Sequence, residues 1–355
     1  MSKKILKINA NPLITSECWT YYKMAVMQTV TSFDMWIANH MAIYMNENGS
    51  AVFGNNGYMY PLSYFCDILE IKEKDIYSVS SKEIVQYLVE QIDKGYYIIL
   101  DLNYKKLYDS DSEKFWLHET LIYGYDTEKE VFFTPLLKSG SFKEIQVKFK
   151  TLCKAYDDSI NYYLSDENRK FNRRLWFFGI TLLKPKKNYK NTNALYDFIN
   201  KVRSEKEGHF YERKSLENSQ TYIFYTGLSC LKKLAQMINN YIDAEKRNED
   251  NLKLYKKTCL KLYQNQNIIL YSMNWFLKKT NSSGKDINLI FNEYSSCCEH
   301  MSNNVWLFMK YYISREDDIL LRIAKSLDDL YNKEKDILER FIPEATKAYI
   351  DILNK

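Results

Sequence analysis

The chain has 355 residues, and its 46% hydrophobic content supplies enough apolar material for a packed core, which excludes a disordered polypeptide. Only 10 Gly and 5 Pro are present, too few for a turn-rich β-sandwich or a Pro-rich linker, so long helices are favoured. With 50 Lys and Arg against 45 Asp and Glu, the formal charge of +5 is spread along the chain without a basic block, which argues against nucleic-acid binding and leaves an acidic partner open.

Ile5, Leu6 and Ile8 predict a short strand, followed by a loop through Asn9, Asn11 and Pro12. From Cys18 to about Met45, apolar residues such as Met24, Met27, Val30, Trp36, Ile37 and Met41 recur at helical spacing. Ser16 is the candidate N-cap of that helix, so Cys18 falls in its first turn. Gly49, Gly54, Gly57 and Pro61 mark a loop with a short strand. Ile84, Val85, Leu88, Val89 and Ile92 predict a helix over about 81–94, capped by Gly95. The period then changes: Tyr96–Leu100, Leu121–Tyr125 and Val131–Phe133 predict three strands of one antiparallel sheet, the last two joined as a hairpin through Asp126-Thr127-Glu128-Lys129. Leu175–Leu183 predicts a further strand, stopped by Lys184-Pro185. Past Pro185, helical spacing dominates over about 192–203, 215–243, 249–279, 285–314 and 316–353. The expected organisation is an α+β unit over 1–185 and an all-α unit over 186–355.

Seven cysteines without regular spacing exclude a secreted disulfide scaffold. No window reaches the roughly 18 apolar residues of a membrane-crossing helix, and Lys7, Asn9 and Asn11 interrupt the stretch where a signal peptide would be apolar. These features predict a cytoplasmic protein with reduced thiols and no membrane partner.

Two residues stand out chemically. A thiol at a helix N-terminus feels the positive end of the helix dipole, which favours the nucleophilic thiolate, and Cys18 holds that position. A histidine opening a strand can face such a thiol and act as its general base, and His118 holds that one. On spacing alone, a small buried cysteine and a strand-end histidine account for the same residues. Cys297-Cys298 with His300 resembles a ligand set, but adjacent cysteines lack the two-residue gap of a zinc knuckle, so no metal is expected there.

The local sequences add a resemblance. Glu17-Cys18-Trp19-Thr20-Tyr21 at the head of a helix is similar to the nucleophile segment of papain-like enzymes, in which the cysteine precedes an aromatic residue. His118-Glu119-Thr120-Leu121-Ile122-Tyr123-Gly124-Tyr125-Asp126 resembles the His-x-x-x-Ile-x-Gly-Tyr-Asp strand of the butirosin-biosynthesis acyltransferase family. That family has a papain-like cysteine-protease fold, with relatives among the double-glycine leader peptidases and among the amide synthetases of thioamide antibiotic assembly. The resemblance continues faintly through Tyr222-Ile223-Phe224-Tyr225 and Leu307-Phe308-Met309-Lys310-Tyr311-Tyr312.

The resemblance implies acyl transfer in natural-product biosynthesis. Cys18 takes an acyl group from the phosphopantetheine thioester of an acyl carrier protein, and an amine acceptor activated by His118 resolves the acyl-enzyme, with no bound cofactor of the enzyme's own. Where papain-like enzymes carry the Asn or Asp that orients the histidine, this chain has Thr134, followed by Pro135. Asp101, at the end of the neighbouring strand, is the alternative third member. The oxyanion hole would use the backbone N–H of Cys18 with Asn11, or Asn9, as the side-chain donor. Arg169-Lys170-Arg173-Arg174 and Lys184-Lys186-Lys187-Lys190 offer cations to an acidic carrier. A cysteine peptidase or thioesterase on the same residues, and a binding protein that keeps the fold without catalysis, are the rival expectations.

Overall fold

The computed structural model describes residues 2–40, 42–55, 58–59, 62–108, 115–138, 141–164, 179–187, 189–214, 221–282 and 284–354. In chain order these form β1 (Lys3–Ile5), α1 (Cys18–Met27), α2 (Phe33–His40), β2 (Ile43–Asn46), β3 (Ala51–Asn55), β4 (Tyr58–Met59), β5 (Leu69–Asp75) and α3 (Ile84–Asp93). Next come β6 (Tyr97–Asn103), α4 (Tyr104–Tyr108), β7 (Leu117–Ile122), β8 (Gly124–Asp126), β9 (Val131–Lys138), β10 (Ser141–Lys148), α5 (Phe149–Leu164) and β11 (Gly179–Pro185). The remainder is α6 (Ala194–Glu207), β12 (Phe210–Lys214), β13 (Thr221–Thr226), α7 (Ser229–Asp243), α8 (Glu249–Thr280), α9 (Lys285–Ser314) and α10 (Asp317–Leu353). The chain divides into one unit of residues 1–33 and 62–189 and another of 34–61 and 190–355.

The first unit contains two antiparallel four-stranded sheets, ordered β1-β8-β9-β10 and β5-β11-β6-β7. Here the single sheet expected from the sequence is corrected. The histidine strand ends at Ile122, and after Tyr123 the chain enters the other sheet as β8, paired with β1 and β9. Tyr123 stitches the change of partner, donating to the Phe133 carbonyl at 3.1 Å and accepting from the Leu6 N–H at 2.8 Å. Gly124 is required at this crossing, because a Cβ there would lie 2.9 Å from the Lys4 carbonyl oxygen. The rest of the Gly-Tyr-Asp motif is structural too. Tyr125 donates to Asp93 at 2.8 Å, and the Asp126 carboxylate caps the hairpin turn by accepting from the N–H groups of Glu128 and Lys129.

One face of the second sheet carries Ile98, Leu100, Leu102, Ile180 and Leu182, which pack with Ile84, Leu88 and Ile92 of α3 and Leu152, Ala155 and Tyr156 of α5. Such continuous apolar runs are what a strand needs when it is covered by helices. α1 packs against β7.

The long helix expected over 18–45 is three elements instead. After Met27 the hydrogen bonds tighten, Thr29 to the Val26 carbonyl and Val30 to the Met27 carbonyl. The β-branched run Thr29-Val30-Thr31 crowds a helix, and the Thr29 hydroxyl competes for the Val26 carbonyl at 2.7 Å. Ile43–Asn46 then pairs as a strand, because its alternate residues are buried.

The second unit is not all-α. A five-stranded sheet ordered β12-β13-β2-β3-β4 joins residues 210–226 to the 34–61 segment, with Tyr225 opposite Met45 and Tyr44 opposite Val52. The helix expected over 215–243 therefore begins only at Ser229, because the aromatic and β-branched residues of Tyr222–Tyr225 fit a pleated ladder. α7 to α10 pack together with α6 through Leu234, Ile238, Met273, Phe276, Met301, Phe308, Leu327 and Phe341. Cys297 and Cys298 are buried in this packing, whereas His300 is exposed.

Candidate active site

Cys18 is the first residue of α1, and the cap is Glu17, in extended backbone at φ −143° and ψ 127°, rather than Ser16. Glu17 supplies no side-chain cap; its carboxylate accepts from the Thr20 hydroxyl at 2.5 Å instead. Thr20 to Met27 are all buried, so α1 is an interior helix with only its head near the surface. The thiol is partly buried.

This environment overturns the expectation of a standing thiolate. Burial, then the Glu119 and Glu17 carboxylates, push the Cys18 thiol up to about 12, and only its own backbone N–H pulls it down. The magnitudes explain the outcome: a helix terminus contributes about 0.3–1 kcal/mol, less than one pKa unit, while desolvation of an anion moves a pKa by several. The resting sulfur is a thiol.

His118 lies in β7 opposite Leu102. Its Nδ1 is 2.8 Å from the Glu119 carbonyl oxygen, which also accepts from the Tyr22 hydroxyl at 3.0 Å. A carbonyl only accepts, so Nδ1 carries the proton and Nε2 is the basic nitrogen. Tyr22 stands one turn along α1 from Cys18, so one backbone carbonyl of β7 ties both α1, through the Tyr22 hydroxyl, and the His118 ring. The rings of Tyr104 and Trp116, with centroids 5.0 and 5.3 Å from that of His118, hold the imidazole from its sides.

Four expected site residues fall elsewhere. Asp101 pairs across the sheet with Glu119, and successive side chains point to opposite faces, so its carboxylate is on the other side of the strands from His118. It accepts from the Tyr163 hydroxyl at 3.3 Å, and burial with the nearby Glu119 charge raises its pKa well above the usual range. Thr134 sits opposite Ile145 in the other sheet, buried, and its hydroxyl has no hydrogen-bond partner among the described residues. Asn9 is tied by its N–H to the Ala25 carbonyl, roughly 10 Å along α1 from Cys18 at 1.5 Å per residue. Asn11 donates its own N–H to the Asn9 side chain and is exposed. The orienting partner of the imidazole is thus a backbone carbonyl. Of the cationic candidates, Lys184 donates to the Lys94 carbonyl at 2.9 Å and Lys186 to that of Cys66, while Arg169-Lys170-Arg173-Arg174 lies outside the described residues.

Sequence reasoning missed Lys23 and underrated Glu119. Lys23 is fully buried, donates to the Trp19 carbonyl at 2.9 Å and stands 3.1 Å from the centroid of the Trp19 ring. Burial pushes its pKa down, and the carboxylates of Glu119, Glu17, Asp101 and Glu73 pull it back up. Glu119 is raised by desolvation and drawn down by Lys23 and His118. The signal was present, since one lysine interrupts an otherwise apolar helical stretch from Tyr21 to Met27.

Compared with known proteins, the chain matches no family model and no characterised sequence. Among the described residues, no helix is long and apolar enough to cross a membrane.

Proposed function

We propose that the chain is an acyltransferase, built on a papain-like unit, that moves an acyl group from a carrier-protein thioester through Cys18 to an amine. The observation that carries this reading is the convergence of the Tyr22 hydroxyl and His118 Nδ1 on one carbonyl beside the turn that Cys18 opens. It leaves Nε2 as a base directed by a fixed Nδ1 proton, which is what activation of a protonated thiol requires.

Because the thiol rests protonated, the proton must move as the sulfur attacks. Nε2 takes it, the C–S bond to Cys18 forms, and the oxyanion is stabilised by the N–H groups at the head of α1, which have no intrahelical acceptor. Collapse expels the carrier thiol, which leaves with the proton from the imidazolium. The amine then attacks the acyl-Cys18 carbonyl, gives its proton to the imidazole, and the C–S bond breaks to restore the thiol and release the amide. Thioester to amide is downhill, so the step needs no nucleotide. The Glu119 carbonyl orients the ring in place of a triad carboxylate.

Product analysis tests the reading. With an acyl-loaded carrier and a panel of diamines and amino sugars, an amide should form; free acid alone, unchanged by any amine, supports hydrolysis instead. One observation favours a second reading, a non-catalytic binding protein: the thiol is held protonated next to two carboxylates. For that protein, Cys18 reacts with iodoacetamide more slowly than a free thiol, and His118→Ala leaves the rate unchanged.

A further inference from the structure

Glu334 of α10 carries a fully buried carboxyl that the acyl-transfer reading does not use. Among the described residues, no Lys, Arg or His stands within ion-pair distance of it. An unpaired buried charge costs several kcal/mol, so an acid in such a place gains by keeping its proton. The groups that face it supply no compensating cation. α8 presents Gln266, and α9 presents Tyr294, Cys297 and Cys298. α6 presents Glu205, a second acid, which accepts from Asn265 at 2.7 Å and holds Lys201, one turn earlier, as its own cation. α7 turns Lys232 to the Tyr331 ring at 5.6 Å, and Lys333 of α10 is exposed.

The hydrogen bonds around this carboxyl do not balance. Gln266 Nε2 donates to Glu334 Oε1 at 2.5 Å, which joins two planar groups by one bond. The second oxygen of each group is left over: Gln266 Oε1 and Glu334 Oε2 are buried, and neither has a hydrogen-bond partner among the described residues. The Tyr294 hydroxyl, fully buried and also unpartnered, acts on the same carboxyl. With Glu334 ionised, the cluster holds two orphaned acceptors and one phenolic proton, so one oxygen stays unsatisfied whichever way the phenol turns. One further proton closes the count. On Oε2 it is donated to Gln266 Oε1, and Oε2 still accepts from Tyr294.

We propose that Glu334 is an uncharged acid in the folded chain, a proton-binding site whose proton joins Oε2 to Gln266 Oε1 and completes a two-bonded ring with the Nε2–Oε1 bond. Each buried polar group left without a partner costs about 1–3 kcal/mol, and this proton relieves two of them. Burial and the Glu205 charge act in the same direction, against the weaker pull of the Tyr294 hydroxyl. The two acids of the bundle thus divide: Glu205 is the partner of Lys201, and Glu334 is the partner of an amide. Because an unfolded Glu is ionised at neutral pH, folding of this unit there takes up a proton. The ring makes the bundle a proton-dependent lock, in which release of the proton leaves a buried anion beside an acceptor that has no donor.

Carbon-13 NMR of the full chain, labelled at the glutamate side-chain carboxyl carbons, tests the site. At neutral pH one resonance should stand at the neutral-acid position and vanish in Glu334→Gln, a variant that keeps the ring because two amides pair in the same way. If that variant does not fold, the parent chain still decides. The side-chain amide signals of Gln266 should stay constant from the ordinary Glu value of 4.5 up to neutral pH and move only where the neutral-acid resonance shifts. Loss of a carboxylate-position resonance in Glu334→Gln at neutral pH, or a Gln266 titration centred near 4.5, overturns the proposal. A neutral-acid resonance from Glu334 whose titration leaves the Gln266 signals unmoved overturns the ring.

Discussion

At the scale of single residues, the head of α1 opposes two electrostatic effects of different size. The dipole and the Cys18 N–H favour the anion by less than a pKa unit, and desolvation with two carboxylates outweighs them. Lys23 is what keeps those carboxylates tolerable. Glu119 and Asp101 both have raised pKa values, so each folds more readily as the neutral acid, and stability is lost as pH rises from the ordinary carboxylate range through the folded values. Lys23 lowers both and so limits the loss. Lys23→Met should therefore be more stable than the parent at pH below the ordinary Glu value of 4.5, where a buried cation of lowered pKa is removed from among neutral acids, and should lose about 1–3 kcal/mol of that gain at neutral pH, where Glu119 and Asp101 are left without it. Urea titrations at the two pH values check this, and Lys23→Met/Glu119→Gln should recover part of the neutral-pH loss.

At the scale of elements, helices with strong apolar spacing were legible, and their ends were nearly so. α3 stops two residues before Gly95, whose φ of +83° suits glycine, and α8, α9 and α10 start and stop close to their polar breaks. Strand partners were not legible. β7 and β8 read as one run because Tyr123 is as apolar as its neighbours, and only the approach of Lys4 to Gly124 shows where the sheet changes. β12 and β13 were hidden in a helical reading because aromatic residues satisfy both periods over short runs. Within the bundle, Glu334 is fully buried, with Oε1 accepting from Gln266 at 2.5 Å, and burial with the Glu205 charge raises its pKa well above 4.5. Its contribution has the same sign as that of Glu119. Glu334→Gln should stabilise at neutral pH by about 1 kcal/mol or more and do nothing at pH below the ordinary Glu value of 4.5, read as urea midpoints.

At the scale of the whole molecule, the sequence suggests a division near Pro185, and the structure groups residues 190–355 with 34–61. What it concealed is that the unit also needs residues 34–61, since long-range strand pairing leaves no local signature. A fragment of residues 190–355 lacks β2 and β3, leaving β13 with an unpaired edge. It should aggregate or unfold without cooperativity by circular dichroism; a monomeric, cooperatively melting fragment contradicts the division. In the candidate site, Cys18 and His118 were legible as candidates and their surroundings were not. Cys18 and His118 stand out by type and position, whereas the carbonyl that orients His118 belongs to every residue alike and has no side-chain signature. Asp101 and Thr134 looked suitable by chemistry, and strand parity and sheet membership exclude them as ring partners.

In the proposed reaction Cys18 carries the acyl group and His118 moves the proton. Intact mass spectrometry after mixing with acyl-loaded carrier protein measures it directly. One acyl adduct is expected on the parent chain, none on Cys18→Ala, and formation slowed about 100-fold or more in His118→Ala. An adduct that persists without Cys18, or a rate indifferent to His118, contradicts it.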